Sequence, residues 1–130
     1  MDFKGCKKIK SVVKILVIED ELSIQYLYAE ILDEFEVTQA YTGRQALDFI
    51  NQKGDYDLYI VDLHLPDFDG FEIIRTIRSK NPGAKVIIGT GFSVESLARK
   101  IAEVHPNFVF TKPFKVLDFK NKVHELIDAD

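Results

Sequence analysis

The sequence predicts a three-layer α/β sandwich, one parallel β-sheet covered by helices on both faces. Short runs rich in Val, Ile, Leu and Phe alternate five times with segments whose apolar residues recur at helical spacing. The apolar runs are continuous, without strand-type alternation, as suits strands buried on both faces. No repeat, linker or low-complexity segment interrupts the pattern, so strand–helix units with right-handed crossovers account for the whole chain. A length of 130 residues suits one domain, and a domain of this size buries roughly two thirds of the surface its unfolded chain exposes.

The first strand is expected at Lys14-Ile15-Leu16-Val17-Ile18, ending in Glu19-Asp20-Glu21. Ile24, Leu27, Tyr28, Ile31 and Phe35 then form the apolar stripe of an amphipathic helix, with Gln25 and Glu30 between them. Val37 to Tyr41 reads as a second strand. Thr42-Gly43-Arg44-Gln45 has the form of a capping box opening a helix through Ala46, Leu47 and Ile50, which Gly54 closes.

Tyr59-Ile60-Val61-Asp62 is a third strand that delivers a carboxylate into the turn Leu65-Pro66-Asp67-Phe68-Asp69-Gly70. Phe71, Ile74 and Ile77 mark the next helix, stopped by Asn81-Pro82-Gly83. Ala84 to Gly89 supplies the fourth strand. Ser93 is placed to cap a fourth helix with the stripe Val94, Leu97, Ile101 and Val104, ended by His105-Pro106-Asn107. Phe108 to Thr111 is the fifth strand, broken by Lys112-Pro113, and a last helix turns Val116, Phe119, Val123 and Leu126 inward.

A net charge of -4 and a pI near 5.4 disfavour coating of nucleic-acid backbones. Lys4, Lys7, Lys8, Lys10 and Lys14 make the start basic, and residues 1–13 read as a solvated leader before a domain at 14–130. The single cysteine, Cys6, has no intrachain partner, which points to a reducing compartment. Without a signal-peptide pattern or an apolar run of membrane-spanning length, a soluble cytoplasmic protein is expected.

In a parallel sheet the C-terminal strand ends share one edge, where such folds keep their ligand sites. Here those ends offer Glu19 and Asp20, then Asp62, Thr90 and Lys112. Any one of them reads equally well as a cap or a solvated strand end. Together they describe a site, because gathered carboxylates raise one another's pKa unless a cation compensates them. Mg²⁺, which prefers oxygen ligands and keeps several waters, suits this set.

These segments resemble the receiver domains of two-component response regulators. The matching stretches are Ile15-Leu16-Val17-Ile18-Glu19-Asp20-Glu21, Ile60-Val61-Asp62-Leu63-His64-Leu65-Pro66-Asp67-Phe68-Asp69-Gly70, Val86-Ile87-Ile88-Gly89-Thr90-Gly91 and Thr111-Lys112-Pro113-Phe114. The resemblance implies a flavodoxin-like sheet in the order 2-1-3-4-5, with Asp62 accepting a phosphoryl group from a histidine kinase or histidine phosphotransfer protein. It implies Mg²⁺ held by Asp20, Asp62 and the His64 backbone carbonyl, with Glu19 acting through water. Lys112 is expected to pair with Asp62 and then with the phosphoryl group, Thr90 to donate its hydroxyl, and the Lys112-Pro113 bond to be cis. Output is expected to be binding of a downstream protein at the surface of the fourth helix, fifth strand and fifth helix. Lys100, Glu103, Lys115 and Lys122 are the candidate contacts there, on a monomer or weak phosphorylation-dependent dimer.

The chain departs from the common receiver pattern at several positions. Val109 stands three residues before Lys112, where an aromatic residue is usual, and strand alternation sends Phe108 and Phe110 to the opposite face. Glu19 replaces the more usual Asp. His64 and Phe92, two positions beyond Asp62 and Thr90, are expected to tune dephosphorylation, with Phe92 shielding the phosphoryl group. An imidazole ligand is disfavoured at a hard-cation site, so the His64 side chain is expected to face solvent. Two other readings carry less: a phosphatase of the haloacid dehalogenase type, which needs an Asp where His64 stands, and a docking module that works without phosphorylation. No separate enzymatic activity is expected.

Overall fold

The computed structural model describes residues 12–52 and 55–128. In chain order they form β1 (Lys14–Ile18), α1 (Leu22–Ile31), β2 (Glu36–Ala40), α2 (Gly43–Gln52), β3 (Leu58–Asp62), α3 (Gly70–Lys80), β4 (Val86–Thr90), a 3₁₀ turn (Glu95–Leu97) leading into α4 (Ala98–Val104), β5 (Phe108–Thr111) and α5 (Val116–Asp128). The five strands pair in parallel in the order β2-β1-β3-β4-β5. Expected fold class and strand order are both observed. Neighbouring β1 and β3 lead their helices to opposite faces, so the crevice beyond their C-terminal ends is the natural ligand site of this sheet.

Strand alternation sorts the core into two clusters. Leu16, Ile18, Tyr59, Val61, Val86 and Ile88 pack with Ala46 and Ile50 of α2, Ile73, Ile74 and Ile77 of α3 and Ile101 and Val104 of α4. Ile15, Val17, Leu58, Ile60, Ile87 and Phe110 pack on the other face with Tyr28 and Leu32 and with Phe119 and Val123 of α5. All five residues of β3, and all five of β4, are buried. Each apolar side chain so covered contributes about 1.5–3 kcal/mol of transfer free energy, so the central strands are the most firmly placed elements.

Several local expectations need correction. α1 ends at Ile31, and Phe35 lies beyond it, half-buried in the turn before β2. Gln25, expected on the polar side of α1, is buried (1 % exposed). The strand expected at Val37 to Tyr41 runs one residue earlier, and the fourth starts at Val86 and includes Thr90. The segment after β4 opens with a 3₁₀ turn in which the Ser93 hydroxyl bonds the Glu95 carboxylate and caps nothing, while Val94 is exposed. Val116 and Leu117 at the start of α5 are also exposed, and Phe119 and Val123 carry its inward face.

The Thr42 hydroxyl caps α2 as expected, accepting from the Gln45 amide at 3.1 Å. Gln45 reaches one residue further back than in a standard capping box, its Oε1 accepting from the Tyr41 amide at 2.8 Å. Gly54, Cys6, Lys4, Lys7, Lys8 and Lys10 lie outside the described residues.

Candidate functional site

Parallel pairing sets Ile18 beside Val61, Asp62 beside Gly89, and Thr90 beside Thr111. That register brings the five predicted residues to one sheet edge. Oxygen atoms of Glu19, Asp20 and Asp62 lie within 4.8 Å of one another, with Glu19 and Asp62 buried and Asp20 exposed. Lys112 reaches in from the residue after β5, across a cis peptide bond to Pro113. Its Nζ lies 2.6 Å from Glu19 Oε1 and 3.5 Å from Asp62 Oδ2. The lysine was expected to pair with Asp62; its shorter contact is to Glu19, whose longer side chain extends toward the ammonium.

Burial, together with the charge of Asp62, pushes the Glu19 carboxyl from 4.5 up to about 7 against the opposing hydrogen bond from Lys112. Burial also opposes the charge on Lys112, but the Glu19 hydrogen bond and the Asp62 and Glu19 charges outweigh it and raise the lysine pKa. The charge of the acidic group is thus only partly balanced by one ammonium. Hard oxygen donors with this imbalance fit a small divalent cation such as Mg²⁺.

The backbone that carries these groups is held by residues that sequence reasoning passed over. Gln25 Nε2 donates to the carbonyls of Glu19 and Ala40, each at 2.9 Å, and Gln39 Nε2 donates to Gln25 Oε1 at 2.8 Å. This amide network ties the residue after β1 to the end of β2. Its signal was spacing, since Gln25, Tyr28 and Leu32 share the i, i+3, i+7 pattern of one helix face. Asp67 in the β3–α3 loop accepts from the Gly43 and Arg44 amides at 2.8 and 3.0 Å, pinning that loop to the start of α2. A desolvation cost opposes ionisation of Asp67, but these amides hold its carboxyl below the usual range. Asp69 caps α3 by accepting from the Phe71 amide at 3.0 Å.

Gly70 lies so close to the end of β3 that an added Cβ would sit 2.7 Å from Leu63 Cα and 2.8 Å from the Asp62 carbonyl oxygen. Behind the site, Tyr28 is buried and stacks on Phe114, ring centroids 5.8 Å apart, and tilts against Phe119 at 5.5 Å. Burial, then the charges of Glu19 and Asp62, raise its phenol pKa.

His64 is exposed as expected, but its ring has protein partners as well as solvent. Its amide donates to Asp62 Oδ1 at 3.0 Å. His64 Nε2 lies 3.1 Å from Thr90 Oγ1, and the ring meets Phe92 edge-on with centroids 4.2 Å apart. The Phe92 amide also donates to Thr90 Oγ1 at 3.0 Å. Val109 is half-buried against the α2–α4 face, whereas Phe108 and Phe110 belong to the α1–α5 face, as alternation requires. Among the candidate contact residues, Lys100 sits over the Phe71 ring at 5.7 Å and Lys122 over Phe108 at 5.0 Å. Glu103 and Lys115 are exposed.

A doubly wound parallel sheet with an acidic cluster at its C-terminal edge defines the fold class, and comparison with known proteins gives the family. Residues 15–124 match the response regulator receiver domain, and the chain belongs to that family. It is 33% identical over 118 residues to the transcriptional regulatory protein CiaR of Streptococcus pneumoniae, covering 88% of this chain and 51% of CiaR. It is 28% identical over 116 residues to sporulation initiation phosphotransferase F of Bacillus subtilis, covering 88% of this chain and 93% of that protein. The chain therefore spans about half of CiaR and nearly all of the phosphotransferase.

Among solved structures, a CheY-like receiver domain protein from Methanospirillum hungatei aligns with a TM-score of 0.84 at 27% identity, covering 91% of this chain and 95% of that one. The BeF3-activated DrrB receiver domain aligns with a TM-score of 0.82 at 28% identity, covering 91% and 99%. No helix among the described residues is long and apolar enough to cross a membrane.

Proposed function

We propose that this receiver domain is a phosphorylation-dependent switch whose phosphoacceptor is Asp62. One observation carries the reading: a buried carboxylate at the end of the central strand, with a lysine ammonium 3.5 Å away and two further carboxylates within 4.8 Å. An Asp62 carboxylate oxygen attacks phosphorus in a phosphohistidine of a kinase or phosphotransfer protein. The P–N bond breaks, the donor imidazole leaves, and an acyl phosphate forms on Asp62. Asp20, Asp62 and the His64 carbonyl would hold Mg²⁺, with Glu19 acting through water, and the bound ion would supply neutralisation of charge on the transferring group. Lys112 exchanges part of its contact with Glu19 and Asp62 for a phosphoryl oxygen. The Thr90 hydroxyl donates to another.

The domain is taken to run from Lys14 to the C terminus, behind a basic leader at residues 1–13. Output is binding of a protein partner to the face of α4, β5 and α5, where exposed Glu103 and Lys115 are the readiest contacts and Lys100 and Lys122 first leave their aromatic rings. Val109 leaves no aromatic switch at its position, so the change at Asp62 reaches that face through Thr90 and the loop after it. Incubation with Mg²⁺ and acetyl phosphate, followed by intact mass, tests the assignment. A single phosphoryl adduct is expected, lost in Asp62→Asn and in excess EDTA. Wild-type protein that gains no adduct overturns it in favour of a docking module.

A further inference from the structure

The Thr90 side chain is fully buried, and among the described residues its hydroxyl has two hydrogen-bonding partners, the Phe92 amide and His64 Nε2. An amide N–H can only donate, so it occupies a lone pair of Oγ1 and leaves the hydroxyl proton unplaced. Among the described residues that proton has one acceptor within hydrogen-bonding distance. Nε2 therefore accepts from Thr90, which puts the ring proton on Nδ1. The ring is steadied in this orientation by the edge-on contact with Phe92, and its backbone is steadied by the amide bond to Asp62 Oδ1.

We propose that His64 is a positioning residue that holds the Thr90 hydroxyl proton away from the phosphoryl site until a phosphoryl oxygen replaces Nε2 as its acceptor. The inference rests on the phosphoacceptor reading of Asp62 and adds to it a competition: a hydroxyl has one proton, so the resting bond to His64 and the bond to a phosphoryl oxygen exclude each other. Breaking the first releases the His64–Phe92 pair as well. The loops after β3 and β4, joined through these rings at rest, separate when Thr90 changes partner. In this way the bond sets the occupancy at which the domain switches. Because His64 is exposed, water takes its place at little cost, so the bond shifts that threshold without preventing the switch.

Beryllofluoride with Mg²⁺, a phosphoryl mimic that does not turn over, separates this effect from any change in hydrolysis. Its half-saturating concentration, followed by the backbone amide resonance of position 90, is expected to fall roughly three- to tenfold in His64→Ala, the worth of one ordinary hydrogen bond. His64→Gln, whose amide oxygen can accept, is expected to lie between the two. In a Thr90→Ala background, where there is no hydroxyl to hold, His64→Ala is expected to change nothing. An unchanged or higher half-saturation in His64→Ala, or an equal fall in the Thr90→Ala background, overturns the inference while leaving Asp62 as phosphoacceptor. Wild-type protein that neither binds beryllofluoride nor gains a phosphoryl adduct overturns the phosphoacceptor reading, and this one with it.

Discussion

Phe92 is 59 % exposed yet keeps its ring against His64, and its amide donates to the Thr90 hydroxyl. On the proposed reading of Asp62 as phosphoacceptor, a bulky ring there is expected to narrow the approach of water to the acyl phosphate. Phe92→Ala is expected to speed autodephosphorylation several-fold, read from loss of the adduct after the donor is removed; an unchanged or slower rate refutes the shield. That the candidate residues would gather at one edge was legible because each stands at the end of a short apolar run. Their partners were not. The ring of His64 meets a hydroxyl 26 positions away, and Gln25 bonds a carbonyl 15 positions away. Neither contact has a local signature; only the sheet register makes it.

Elements were legible wherever one face is fully covered. β3 and β4 stand where their unbroken apolar runs put them, give or take two residues, whereas the segment after β4 was misread because Val94 fits a helical stripe that nothing covers. The junction of β3 and α3 is the tightest joint between elements. Gly70 starts α3 against the Asp62 carbonyl, and the nearest atoms are backbone, which cannot rotate aside. Gly70→Ala therefore has to push α3 off the strand end, and a loss of about 2–4 kcal/mol is expected. Urea denaturation measures it. A loss below about 0.5 kcal/mol, the scale of a neutral surface change, would mean the joint yields freely.

At the scale of the molecule, the covered sheet is what gives the site its electrostatics. Glu19 binds its proton more tightly in the folded chain, at about 7, than at its reference value of 4.5. Its contribution to stability is therefore fully present below about 4.5 and is lost as pH rises toward and through 7. The shift corresponds to at most about 3 kcal/mol. Relative to Glu19→Gln, the wild type in EDTA is expected to lose stability across that window and then level off. A stability difference that stays constant from pH 5 to about 8 would refute the shift. The fold was legible because five strand–helix units admit few arrangements, while the balance of charge was not, since it depends on how deeply Glu19 is covered. The buried tyrosine behind the site has a practical side. The chain has no tryptophan, so its five tyrosines dominate the near-ultraviolet spectrum. Tyr28 is the one that stacks on Phe114, and burial, with the charges of Glu19 and Asp62, raises its phenol pKa. On the proposed function, a cation or phosphoryl group arriving at the carboxylates is expected to perturb the absorbance of Tyr28, so difference spectra recorded during a Mg²⁺ titration would follow the site without any attached dye.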